Sequence, residues 1–595
     1  MCGIVGMIGQ GQTKAMILKG LETLEYRGYD SAGIALHTGR AVDVYREKGR
    51  IADLKKHIPT DADAHLGIGH TRWATHGRPS QRNSHPHQSS NGRLTLVHNG
   101  VIENEKQLRQ EYLHDSIFAS DTDTEVIVQL LAQLVEKHGD LPTAIIALQQ
   151  LLHGSYALAI IDREQPDVLY AVKNKSPLLI GKGEEANYLG SDALAMIDKT
   201  KNFYELNDGE YAILTAEAVE IFDREGKKII RETFEAQIDA NDLAKGPFKH
   251  YMMKEMNEQP AVIRRIIQAY INDQNETLID QQILTTLRNA KRIFILAAGT
   301  SYHAGLVGKQ YIETMAQIPT EVHLASEFVY NMPFIPEGSC FIFISQSGET
   351  ADSRAALVAI RELGFEALTI TNVPGSTLSR EANYTLLLHA GPEIAVASTK
   401  AYTAQLTVLA LTAAAIRNYD LDLKFELARV ATAMDHICEM HEQFEMLAQN
   451  YFSHGQHAFY IGRHLDYFVA LEAALKLKEI SYIHTEGFAA GELKHGTIAL
   501  IEEGTPVVGL IAQAKVANHT RSNLQEVAAR GAHTATIVCE SLAQAGDTVI
   551  IDDVHELFTP LVMVLPVQFL AYYAAYIRDC DIDKPRNLAK SVTVE

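Results

Sequence analysis

Cys2, directly after the initiator methionine, is the residue whose position most plainly implies chemistry. Its side chain is small enough for Met1 to be trimmed, and trimming would leave one residue carrying both a thiol and a free α-amino group. A cysteine thiol titrates near ~8.5 and an α-amino group near ~7.7–8.0. At neutral pH part of the amine can therefore take the thiol proton, directly or through a water, which is nucleophilic catalysis without a separate histidine. A lone cysteine is also often a small buried hydrophobe. The run Gly3-Ile4-Val5-Gly6-Met7-Ile8 favours catalysis, because its strand pattern would fix the terminus inside a sheet.

Two other groups of residues could do chemistry. Gly299-Thr300-Ser301 and Ser345-Gln346-Ser347-Gly348-Glu349-Thr350 each follow an apolar strand pattern and precede a helix. Hydroxyls and exposed amides at such turns can hold an anion. One such loop is as well explained by helix capping, but two in successive strand-helix units favour a ligand, since adjacent strand ends face one crevice. Neither loop has the spacing of a nucleoside-triphosphate or dinucleotide site. Farther on, Glu472, Lys476 and Glu479 fall on one helical face, with Ala470, Ala473, Ala474, Leu477 and Ile480 opposite. Spacing alone makes that charged face a solvated one.

The elements that must position these groups fall into two regions. Up to about residue 240, short strand patterns alternate with turns: a helix is expected over 13–25, a strand over 94–98 ending in Asn99-Gly100, and a long helix opening at Ser120 to Glu125. Asp121 and Asp123 by themselves suit the positive end of that helix. A polar and then Met-rich stretch from Ala236 onward marks a junction. Beyond about residue 250 the pattern is strand, loop, helix, repeated, which implies parallel sheets covered on both faces. The unit then recurs, 458–462 with its helix echoing 292–310, and 506–512 echoing 340–362.

Composition narrows the function. A chain of 595 residues exceeds one ordinary core. A formal net charge of −21 argues against general nucleic-acid binding, which rests on Lys and Arg neutralising phosphates. No run of about 18 uncharged apolar residues and no signal peptide is read, so no membrane is expected. Five scattered cysteines point to the reducing cytosol, and the histidines His65, His70, His76, His85, His87 and His98 lack ligand spacing, so no metal or cofactor is expected.

Taken together, 2–6, 27–33, 70–77, 98–100 and 120–125 resemble the class II glutamine amidotransferases. The resemblance implies Cys2 as nucleophile, Asn99 and Gly100 as the oxyanion hole, Arg72 on the glutamine carboxylate and Asp123 on its ammonium. Thr75 and His76 would line the pocket, and Trp73 would gate an ammonia passage. The second half resembles tandem sugar isomerase (SIS) domains, which bind phosphosugars, and the whole is similar to the family that aminates fructose 6-phosphate with glutamine. That implies Glu479 moving a proton, Lys476 assisting at the C1 hydroxyl, His495 opening the ring from a neighbouring subunit, and Lys590 meeting the sugar carbonyl. Ser301, Ser345, Gln346, Ser347, Thr350, Val396, Ser398 and Ala589 would hold the sugar phosphate.

The expected fold is α/β multidomain: an N-terminal nucleophile hydrolase α/β/β/α sandwich over 1–240, a linker with helices over 241–284, SIS domains over 285–425 and 450–585, and a tail over 586–595 closing on the sugar site. Glutamine and fructose 6-phosphate are the expected partners, in a cytoplasmic homodimer. A phosphosugar-sensing binding protein with an inert head is the competing reading. It predicts loss of Cys2, Arg72, Glu479 or Lys590, and all four are present.

Overall fold

The computed structural model describes residues 2–74, 76–236 and 244–593. Met1, Thr75 and the expected junction at 237–243 lie outside the described residues. The chain divides into two compact units, one running to Ala244 together with the last residues from Ala589, the other Lys245–Leu588.

The first unit has four layers. The strand Gly3–Gly9 pairs antiparallel with Leu66–Arg72, Gly3 opposite Thr71, and with Ala186–Gly190, Val5 opposite Gly190. It is thus an inner strand of an eight-stranded sheet. Its side chains alternate as a strand requires. Ile4 and Ile8 enter the layer between the two sheets with Ile68, Val97, Ala159 and Leu169, while Val5 and Met7 meet Ile17, Leu21 and Leu24 of the helix Thr13–Leu24. A seven-stranded sheet is built around Leu94–Ile102 and Gly154–Asp162, Gly100 opposite Tyr156. Its outer face takes Val126 and Leu130 of the helix Asp123–His138 and Ile145 of Leu141–Leu151. The order α/β/β/α is the expected sandwich. Truncating Ile4, fully buried two residues after Cys2, costs about 2–5 kcal/mol by the usual cavity rule.

The second unit holds two five-stranded parallel sheets of the same order. In the first, Thr320–Leu324, Arg292–Ala297, Ser339–Ser345, Glu366–Thr371 and Tyr384–Leu387 lie side by side. In the second the order is His484–Ala489, His457–Gly462, Pro506–Ile511, His533–Cys539, Val549–Ile551. Helices cover both faces, so the strands read as unbroken apolar runs, Phe294 and Ile295 alike being fully buried. The strand order turns back between Arg292–Ala297 and Ser339–Ser345 in one sheet and between His457–Gly462 and Pro506–Ile511 in the other, where a doubly wound fold opens its ligand crevice.

Two sequence expectations are corrected. The helix Thr559–Ile577 is uncharged throughout, so an apolar run of the length dismissed above does exist. From Thr559 to Ala575 it is buried inside the second unit, packed on Leu465–Ser481 and His441–Phe452. The same packing overturns the solvated face: Glu472 and Lys476 are fully buried, because Leu465–Ser481 is enclosed on several sides.

Candidate active sites

In the first unit the site is built where neighbouring strands end. Cys2 Sγ accepts the Trp73 N–H at 3.3 Å, and the thiol lies 3.5 Å from the Trp73 carbonyl. Burial pushes the Cys2 thiol up, opposed by the Trp73 N–H and the Arg72 charge. The loop after Leu66–Arg72 is pinned from the motif at 27–33: Ala74 N–H donates to Asp30 Oδ2 at 2.9 Å, and Asp30 N–H to the Arg72 carbonyl at 3.0 Å. Trp73 stands edge-on to Tyr29.

Arg72 is buried, and one of its terminal nitrogens donates to the carbonyls of His76 and Gly77. The other, Nη1, has no partner among the described residues. An unpaired buried guanidinium nitrogen is costly to leave so, and it suits a carboxylate. Asp123, also buried, accepts the Ile102 N–H at 3.0 Å and faces His98 Nδ1 at 4.0 Å. The cap of its helix is Thr122, whose hydroxyl accepts the Glu125 N–H, so Asp123 is directed into the site and is not the cap. Asp121 instead pairs with Arg82 on the surface.

Asn99 and Gly100 lie inside Leu94–Ile102, which runs four residues past the expected end. Asn99 Nδ2 donates to the Cys2 carbonyl at 3.0 Å, while its Oδ1 faces His70 Nε2 at 3.1 Å. His70 Nε2 also lies 2.9 Å from the His98 carbonyl, so with two acceptors it carries the proton. Burial holds His70 neutral. The histidine orients the amide, a role not read from sequence although His70 stands in a quoted motif. At Gly100, φ is +130° and a Cβ would stand 2.0 Å from the Ser155 carbonyl, so only glycine fits. His76 lies in the loop, its Nδ1 buried without a partner among the described residues.

In the second unit the crevice of the first parallel sheet meets the helix Leu465–Ser481. Lys476 Nζ lies 2.5 Å from Glu479 Oε2, 3.0 Å from Thr300 Oγ1 and 3.5 Å from Glu472 Oε1. Glu472 in turn takes Thr300 Oγ1 at 3.1 Å and contacts His303 Nδ1 at 2.7 Å. Burial alone would lower the Lys476 pKa, yet the facing Glu479 and Glu472 carboxylates raise it, so the amine stays charged. Glu479 keeps a fifth of its side chain open, and a substrate could reach it.

Ser345 Oγ accepts the Gly348 N–H at 3.0 Å and touches Thr350 Oγ1 at 2.9 Å, while Ser347 Oγ accepts the Glu349 N–H. Gln346 sits in the same turn. Ser301 Oγ accepts from Gln405 Nε2 at 2.9 Å. Ser398 donates to Glu393, a buried carboxylate that also accepts the Thr399 and Ala401 N–H groups, and Val396 N–H donates to the Asp583 carbonyl. Thr300 stands in a loop the sequence offered for an anion, but its contacts to Glu472 and Lys476, and the parts played by His303, Gln405 and Glu393, were not read from sequence, because a buried partner is visible only once the helices are packed. His495 is exposed on Ala490–His495. Ala589 and Lys590 fall in the tail that groups with the first unit.

The fold and these two sites define a glutamine amidotransferase head joined to a pair of sugar isomerase domains. A family model described as a glutamine amidotransferase domain matches 70–198, and one described as an SIS domain matches 286–415 and 451–578. The chain is 58% identical over 600 residues to a glutamine--fructose-6-phosphate aminotransferase [isomerizing] of Oceanobacillus iheyensis and to one of Geobacillus kaustophilus, covering all of each. A solved C-terminal domain of glucosamine-fructose-6-phosphate aminotransferase from Francisella tularensis is 37% identical, with a TM-score of 0.53 over 57% of this chain and all of that one. The chain belongs to the isomerizing glutamine--fructose-6-phosphate aminotransferase family.

Proposed function

We infer that this protein transfers the amide nitrogen of glutamine to fructose 6-phosphate and isomerises the product to glucosamine 6-phosphate, releasing glutamate. What carries the reading is one chain, matched end to end by relatives of that name, that combines Cys2 and a buried arginine, one of whose nitrogens is unpaired among the described residues, with a carboxylate-lysine-carboxylate array.

Removal of Met1 frees the Cys2 amine to take the thiol proton, and the thiolate attacks the amide carbon. Asn99 Nδ2 and the Gly100 N–H stabilise the oxyanion. The C–N bond then breaks, ammonia leaves with the proton, and water hydrolyses the thioester to glutamate. Arg72 holds the α-carboxylate and Asp123 the α-ammonium, with His76 and Thr75 lining the pocket. The unpaired Arg72 nitrogen and the buried Asp123 carboxylate support this assignment.

At the second site Ser301, Ser345, Gln346, Ser347, Thr350, Val396, Ser398 and Ala589 hold the phosphate and hydroxyls. His495 opens the ring, ammonia adds at C2, and water leaves to give the imine. Glu479 then carries a proton from C1 to C2 while Lys476 assists at the C1 hydroxyl, and Lys590 meets the carbonyl. The exposure of His495 supports its serving the site of a second copy, and hence a homodimer. Free ammonia is mostly protonated at neutral pH and no longer nucleophilic, so internal delivery past Trp73 belongs to the same reading. So do the domain limits 1–240, 241–284, 285–425 and 450–585, the tail at 586–595, and a cytoplasmic location, which the free state of all five cysteines supports.

Glutaminase assays on Cys2→Ala and on Glu479→Gln separate the two sites. Cys2→Ala should abolish glutamine hydrolysis. Glu479→Gln should retain hydrolysis yet form no glucosamine 6-phosphate. Loss of both activities in Glu479→Gln with an intact fold would refute the division of labour.

A further inference from the structure

The two parallel sheets are built alike, so their crevices can be compared residue by residue. Gly299, with φ +54°, and His464, with φ +59°, stand at the same turn, each just after its first strand. A positive φ at a residue other than glycine is uncommon, and both residues stand two positions past the end of their strand, which fixes the alignment. Two residues on, Ser301 in the first domain corresponds to Asp466 in the second. The third strands end at Ser345 and Ile511, so Gln346 and Ser347 correspond to Ala512 and Gln513.

At the second crevice, Asp466 does what an external oxyanion would do. Its side chain is buried, and Oδ2 accepts the Ala512 N–H at 2.9 Å. Its other oxygen, Oδ1, has no partner among the described residues. The surrounding polar groups are turned on one another. Arg463 reaches Asn523 Oδ1 at 3.0 Å, His464 Nδ1 lies 3.1 Å from Gln513 Oε1, and the Gln513 amide nitrogen is held by Thr559 and the Glu556 carbonyl.

We propose that Asp466 fills, with its own carboxyl group, the oxyanion position of the second domain's crevice, and that the serine of the first domain placed there opens a latent site for inorganic phosphate. The inference rests on the reading that the first crevice holds the sugar phosphate.

The test uses the full chain carrying Ser347→Ala and Thr350→Ala, which disable the first crevice, with and without Asp466→Ser. Inorganic phosphate is the probe, read by equilibrium binding and by the thermal transition. With Asp466→Ser, phosphate should bind at one equivalent per chain and raise the transition, and with Asp466 in place it should do neither. A variant that folds only in excess phosphate would count the same way, since an external phosphate then replaces the internal carboxyl group. A well-folded Asp466→Ser chain indifferent to phosphate would overturn the proposal, as would parent protein binding two equivalents of fructose 6-phosphate. Should Asp466→Ser fail to fold even in excess phosphate, the proposal is overturned too, because the missing group could not be supplied from outside. The first-crevice reading fails separately, if Ser347→Ala with Thr350→Ala binds fructose 6-phosphate as the parent does.

Discussion

Replacing Lys476 by methionine removes the only amine from a buried cluster while nearly preserving its volume. Glu472, fully buried and 3.5 Å from the amine, is then left as a carboxylate with His303 and Thr300 for company, while Glu479 keeps some contact with water. Breaking a buried pair from one side costs about 3–5 kcal/mol, whereas replacing both partners by neutral groups of similar size is often close to neutral. Lys476→Met should therefore lose about that much stability in denaturant unfolding followed by far-UV circular dichroism. Glu472→Gln combined with Lys476→Met should recover most of it. Trp73, the only tryptophan, lies in the other unit, and its fluorescence provides a separate view of the head. Neither variant should make glucosamine 6-phosphate, and both should hydrolyse glutamine. A Lys476→Met protein within about 0.5 kcal/mol of the parent, or a double variant no more stable than the single one, would refute the argument that Glu472 depends on the lysine.

Other consequences can be checked with single variants. Arg72→Met should raise the KM for glutamine on the order of 10- to 100-fold, the value of a charged hydrogen bond, and an unchanged KM would exclude Arg72 from holding the carboxylate. Gly100→Ala should abolish glutamine hydrolysis and destabilise the head, because its Cβ would collide with the Ser155 carbonyl at a φ that L residues rarely adopt. Burial pushes the Asp466 carboxyl up to about 7, against about 3.9 in an unfolded chain. Between those values the folded protein holds the extra proton, so stability falls as pH rises through this window, by on the order of 4 kcal/mol. Asp466→Asn should flatten that slope in pH-dependent unfolding, and an identical slope would contradict the assignment.

How much of this was legible beforehand differs by element. Cys2, Arg72 and Asn99 stand in short motifs fixed by strand ends, and the apolar run from Ile4 to Ile8 already implied a strand that holds the terminus inside a sheet. The repeated strand-loop-helix pattern likewise implied the two parallel sheets. Periodicity failed at Leu465–Ser481, where a charged stripe reads as solvated until Thr559–Ile577 and Gly299–Tyr311 enclose it. It failed again at Thr559–Ile577, whose apolar run was passed over. His70, Asp30, His303 and Glu393 act by holding another residue in place. Such roles depend on partners distant in sequence, as with His303 and Glu472, and no local pattern announces them.

The central claim is that nitrogen passes from glutamine to the sugar within this one protein. Amide-15N glutamine supplied with fructose 6-phosphate and excess unlabelled ammonium, followed by mass spectrometry of the amino sugar, tests it directly. The account predicts glucosamine 6-phosphate carrying the label undiluted, and none formed from glutamine by Cys2→Ala. Labelled ammonia in solution with no labelled amino sugar would contradict it.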